Sequence, residues 1–289
     1  MMSPGLLYLL INNYIPMFGL FIAFKSINFR LGFFDSPWVG LENFKYLFNS
    51  SNAWIITRNT LFYNVGFIII NTTAAIALAI FLNEITSKIF MRIYQTVILL
   101  PFLISMVIIS YLVYALLSSE TGFIDKTILP LLGLDPVSWY SEPKYWPFIL
   151  TVVKMWSYVG FLCIVYLASI VGIDKEYFEA ATLDGASKWK QIKHITLPLI
   201  KPVIILMVLF AIGKIFYSDF GLFYQIPRNS GTLYPTTNVI DTYVYRGLLQ
   251  LGDLGMSSAA GFYQSLVGFI LVITSNLVVK KISPENALF

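Results

Sequence analysis

Three charged side chains interrupt stretches that are otherwise apolar: Lys154, Lys214 and Asp219. A charge at mid-bilayer costs about 2.5–3.5 kcal/mol on insertion scales, so each one needs a reason to be there. Trp156 and Tyr158 follow Lys154, while Phe216, Tyr217, Ser218 and Phe220 surround Asp219. Aromatic faces stack on sugar rings, and carboxylates, amides and hydroxyls bond sugar hydroxyl groups. These residues are therefore candidates for a path taken by a polyhydroxylated solute. Two other readings stand beside this one: lysines that snorkel toward the headgroups, or a local ion pair of Lys154 or Lys214 with Asp219.

A second chemistry lies in the stretch EYFEAATLDGASKWKQIKHITLP, Glu176 to Pro198. Asp174 can cap a helix starting at Lys175, with Glu176 and Glu179 in its first turns, where carboxylates suit the positive end of the dipole. Ala180 and Ala181 favour helix with almost no bulk, so such a helix can lie close in another protein's groove. Asp184-Gly185 stops it, because glycine tolerates the left-handed conformation of a C-cap. Ser187 can cap a second helix carrying Trp189, Ile192 and Ile195 on one face, ended by Pro198 and Pro202. Other chemistries find no support. His194 is the single histidine and lacks metal-ligand partners, no nucleophile–base arrangement is visible, and no phosphate-cradling glycine loop occurs. Cys163 is alone, so no disulfide framework exists.

These residues need helices to place them. The chain has 289 residues, 57% hydrophobic and 12% charged, with net charge +4 and mean hydropathy +0.75. That is too little charge to cover a soluble surface, so the expected class is an all-α polytopic membrane protein. A span takes about 20 apolar residues. Six are expected, at approximately 3–25, 60–83, 93–118, 146–173, 199–222 and 257–280, in one transmembrane domain over 1–289. The first run lacks a basic flank and a cleavage site, which argues against a signal peptide and points to residues upstream of Met1. Lys88, Arg92, Lys175, Lys188, Lys190, Lys193, Lys201, Lys280 and Lys281 crowd into short loops, whereas the basic residues of the other side are spread through long ones. The dense side is expected to be cytosolic, both termini included, which puts loop 174–198 in the cytosol. Trp38, Trp54, Trp139, Tyr145 and Trp146 are expected as interfacial anchors. Asn71, Thr72, Thr73, Ser105 and Ser110 are expected to serve helix packing, and Pro101 to kink the third span. The basic residues form no aromatic-laced patch, which argues against nucleic acid.

Glu179-Ala180-Ala181, three residues, Gly185, nine residues, Ile195, one residue, Leu197-Pro198 resembles the EAA loop of binding-protein-dependent ABC import permeases, and Asp184, Ala186 and Pro202 match it too. Thr242–Phe262 resembles the segment before the last span of the maltose-type branch. Leu6–Lys25 is similar to that branch's subgroup for complex oligosaccharides and polysaccharides. The resemblance implies a type I ABC importer transmembrane domain in a bacterial cytoplasmic membrane. It implies a paralogous permease, two ATP-binding subunits that bind ATP and Mg in trans, and an extracellular substrate-binding protein docking on the outer loops. The chain itself would hold no cofactor and catalyse nothing. The short helix would dock in an ATPase cleft through Glu179, with Ala180 and Ala181 permitting close approach and Gly185 setting the angle. Substrate contacts of the branch fall in the neighbourhoods of Lys154 and Asp219. The rival readings are an ion-coupled secondary transporter using Lys154 and Asp219, and a membrane subunit that translocates nothing.

Overall fold

The computed structural model describes residues 2–282. Helices carry nearly all of it, and one isolated bridge joins Lys25 to Trp38. The long helices are α1 (Ser3–Phe24), α3 (Ser51–Asn83), α6 (Pro143–Val171), α8 (Lys188–Ile212) and α10 (Leu254–Ile282). A bent pair, α4 (Lys88–Leu103) and α5 (Met106–Leu117), stands where the third span was expected. Short helices α2 (Glu42–Asn49), α7 (Lys175–Leu183) and α9 (Ile240–Leu249) lie between the long ones.

Helices α3 and α6 form the spine, because small residues let them close on each other: Ala75 and Ala79, one turn apart on α3, are fully buried among Val159, Cys163 and Tyr166 of α6. Small side chains at such contacts admit close backbone approach, which drives helix association in lipid. Gly160 takes this to its limit, since a Cβ there would lie 2.0 Å from the carbonyl oxygen of Ile98 on α4. Below the middle of the spine one apolar cluster gathers Leu82, Leu162, Ile170 and Ile200. Above it another gathers Tyr63, Phe67, Ile109, Trp146, Leu222 and Phe223. The N-terminal half of α3 is stapled to the segment before α9: Asn59 donates to Asn238 O at 2.9 Å, and Thr60 Oγ1 accepts from Ile240 N at 3.1 Å.

Several expectations are corrected. The third span, expected over 93–118, turns by 96° between α4 and α5. The turn falls after Pro101 rather than at it: the chain is extended at Ile104 and Ser105, and the Ser105 hydroxyl caps α5. The fifth, expected over 199–222, stops at Ile212. Its lower end instead runs on from Lys188 through a wide turn over Ile192–Thr196, so neither Pro198 nor Pro202 ends a helix. Widening the turn lets a helix pass a residue with no N–H to give. The second span begins at Ser51 instead of 60. Trp146 is wholly buried, its indole N–H donating to Trp139 O at 2.7 Å, while Trp139 donates to Asp125 at 2.7 Å. Both rings hold the outer cap together, whereas Trp38 and Trp54 remain exposed.

Candidate functional site

After Ile212 the chain leaves the regular helix, passes through turns, and re-forms a helical segment at Gly221–Gln225. A helix broken inside a membrane exposes backbone groups that must find partners. Three other helices supply them. Asn64 on α3 donates to Ile215 O at 2.9 Å and Tyr217 O at 3.2 Å. Gln264 on α10 donates to Phe216 O at 2.8 Å. Asp241 on α9 accepts from Ser218 N at 2.7 Å and from Gln264 at 3.0 Å. Asp219 closes the set by accepting from Leu222 N at 3.1 Å. The break is therefore built, and it turns Tyr217, Ser218 and Asp219 toward α3 and α6.

A cleft of about 470 Å³ opens there. From α3 it takes Asn64, Phe67, Ile68, Asn71 and Thr72; from α6, Lys154, Tyr158, Leu162 and Tyr166; from α8 and the break, Met207, Phe210, Lys214, Tyr217, Ser218 and Asp219. Lys154 Nζ pairs with Asp219 Oδ2 at 2.9 Å and lies 4.7 Å from the centre of the Tyr158 ring. The two side chains are 17% and 28% exposed, so the pair faces the cleft from within its wall. Pairing and cleft lining hold together, where the residues alone left them as alternatives. Lys214 enters no ion pair among the described residues. Asn71 is buried, and its side-chain oxygen has no hydrogen-bond partner among them.

Among the residues expected on the path, Trp156, Phe216 and Phe220 do not line the cleft. Trp156 sits two residues past Lys154, nearly opposite on the helix, whereas Tyr158 at i+4 shares the face of Lys154. Phe216 is buried against Tyr263, and Phe220 stacks on Tyr224 and Tyr245. Asn71 and Thr72, expected to pack helices, line the cleft. Their signal was present as a polar-bearing stripe at 64, 67, 68, 71 and 72, the i, i+3, i+4, i+7, i+8 spacing of one helix face.

At the opposite end, Asp174 caps α7 by accepting from Glu176 N at 3.1 Å. The helix closes with Ala186 N donating to Ala181 O at 2.8 Å and Gly185 N to Thr182 O at 3.0 Å, the paired bonds of a glycine-ended helix. Gly185 has φ +75° with open space around it, so the backbone conformation, not crowding, calls for glycine. Gln191 then clamps the elbow: its amide donates to Thr182 Oγ1 at 2.9 Å and Ala186 O at 3.3 Å. Lys188 pairs with Glu84 at 3.0 Å, tying the elbow to the α3–α4 loop. Glu179 and Ala180 are exposed, Ala181 is half-buried, and Leu183 is 90% exposed. Asp184 forms the helix's C-cap. Ile195, Leu197 and Pro198 stand apart in α8, Leu197 packing on the lower cluster. Nothing in the sequence reading singled out Gln191, although a buried amide two turns past a glycine C-cap is a natural brace.

A family model described as binding-protein-dependent transport system inner membrane component matches residues 71–284. Protein LplB of Bacillus subtilis (strain 168) is 33% identical over 286 residues, covering 99% of this chain and 89% of its own. The polygalacturonan/rhamnogalacturonan transport system permease protein YteP of the same strain is also 33% identical, covering 99% of this chain and 88% of its own. Among solved structures, a bacterial alginate ABC transporter in complex with alginate pentasaccharide-bound periplasmic protein contains a chain that superposes with a TM-score of 0.88. That chain is 33% identical, and the match covers 97% of the present chain and 93% of the other.

Proposed function

The chain belongs to the binding-protein-dependent transport system inner membrane component family, and we propose which of its parts take up force and which carry the solute. It is a permease subunit of an ABC importer for oligosaccharides, a multi-pass membrane protein with an all-α transmembrane domain. Partner ATPase subunits bind ATP and Mg and hydrolyse the nucleotide. A paralogous permease completes the path, and a substrate-binding protein docks outside, as the bound periplasmic protein in the alginate complex supports. The protein sits in a bacterial cytoplasmic membrane with α7 and both termini inside.

In this reading α7 is the handle. Its exposed Glu179, Ala180 and Leu183 enter the ATPase surface, and the glycine-ended elbow braced by Gln191 passes the displacement to α8 as one body. Leu197 keys α8 into the lower cluster, so movement of the elbow acts on the helix that ends at the cleft. The cleft is the solute path, and the observation that carries this is its lining: a paired charge, amide and hydroxyl side chains, and aromatic rings, at a break in a membrane helix. Discontinuous helices mark substrate sites in transporters because they bring backbone and polar groups to the membrane middle.

The test is uptake in proteoliposomes holding both permeases, the ATPase and the binding protein. Gly185→Asp and Glu179→Lys should abolish ATP-driven uptake with the assembly still in the membrane, and Asp219→Ala and Tyr217→Ala should change uptake kinetics. Normal transport by the first two would refute the handle, unchanged kinetics in the second two would refute the path, and uptake without ATP would favour ion coupling.

A further inference from the structure

Charge does not balance in the cleft. Lys154 and Lys214 both line it, and Asp219 is the one carboxylate among the lining residues. Asp219 has committed both oxygens, one to Lys154 at 2.9 Å and one to Leu222 N at 3.1 Å. Lys154 is neutralised and further held against the Tyr158 ring. Behind the wall, Asp241 accepts from Ser218 and Gln264. Lys214 is an exposed residue of the lining whose ammonium pairs with no carboxylate among the described residues.

We propose that the cleft selects oligosaccharides bearing carboxylates, uronate units, and that Lys214 is the residue that takes the sugar carboxylate. The proposal rests on the reading of the cleft as the saccharide path. A free ammonium donates a charge-assisted hydrogen bond to either group, carboxylate or hydroxyl, but only the carboxylate adds the attraction of a full opposite charge. The Lys154–Asp219 pair then has a specific effect. By occupying Lys154 it leaves one cation for the passing acid, and a path must bind weakly enough to release. Removing the Asp219 charge creates a second cation and a trap.

The experiment measures binding of trigalacturonate and of its carboxyl-reduced counterpart to the complete membrane assembly in nanodiscs. The wild type prefers the acid, and the preference fades as salt rises from about 0.05 to about 0.5 M, as screening requires. Lys214→Gln weakens acid binding by about tenfold or more and neutral binding by less than about twofold, while Lys214→Arg keeps the preference. Asp219→Asn tightens acid binding and slows its uptake. A wild type without preference, a Lys214→Gln variant that keeps it, or one that loses both sugars equally would each overturn the proposal, the last by showing that Lys214 serves the assembly. Tyr217→Ala separates the premise: if it weakens both sugars alike the path stands whatever Lys214 does, and if it affects neither the path itself fails.

Discussion

Asp219 holds Lys154 by a single 2.9 Å contact in a wall of rings and methyl groups, and the rest of its bonding goes to its own backbone turn. Truncating it leaves an ammonium partly desolvated with no counter-charge, at a cost of about 1–3 kcal/mol. Asp219→Ala should therefore lower the melting midpoint in detergent. The paired replacement Lys154→Met with Asp219→Leu should recover it without recovering uptake, since apolar substitutes satisfy the fold but not the ligand. Equal midpoints for single and double variants would contradict this. Asp241 behaves differently. Burial lifts its carboxyl above the usual carboxylate range, against the Ser218 N–H and the Gln264 amide that pull it down. A raised value in the folded chain means that the fold takes up the proton more readily than the unfolded chain, so stability rises as pH falls through that value and declines as pH climbs. As pH falls from neutral toward the ordinary carboxylate range the wild type should gain stability relative to Asp241→Asn, and parallel pH curves would sink the assignment. At this scale the sequence was readable where a side chain announces its own cost, as Lys154, Lys214 and Asp219 do. It was opaque for Gln264 and Asp241, whose importance lies in which backbone atoms they reach.

At the scale of elements, α7 was legible down to its cap residues, because Asp174, Asp184 and Gly185 act on their own local backbone, whereas Ser187, expected to cap the helix after the elbow, makes no side-chain cap bond. The broken fifth span was not. GKIFYSDFG is apolar enough to read as continuous, and the break is imposed by Asn64, Gln264 and Asp241 from three other helices. The 96° turn between α4 and α5 was hidden for the same reason, although Pro101 marked its vicinity. The elbow yields a graded expectation. Gly185→Ala forces a Cβ into the left-handed region at about 1–2 kcal/mol but adds no bulk where the space is open. Gln191→Ala removes the brace and keeps the glycine. Measured in the assembled transporter, Gln191→Ala should keep much of the ATPase rate while lowering solute moved per ATP. Loss of both in proportion would mean that Gln191 supports folding rather than transmission.

Across the whole molecule, the spine of α3 and α6 is the fixed part, and Gly160 holds α4 against it: Gly160→Leu should prevent assembly outright, because the Ile98 carbonyl of α4 occupies the space a side chain would need. Against that spine the elbow and the cleft lie at opposite ends of α8, the helix that runs on directly from the elbow. Under the proposed function, α8 carries force from α7 to Tyr217. The direct measurement is the labelling rate of a Tyr217→Cys cysteine, in a Cys163→Ser background, by a membrane-impermeant thiol reagent applied from the cytosolic side. It is taken with and without ATP on an ATPase unable to hydrolyse it. With the native elbow, ATP should slow labelling severalfold, and with Gly185→Asp it should change nothing. An equal ATP response in both, or none in either, would contradict the account.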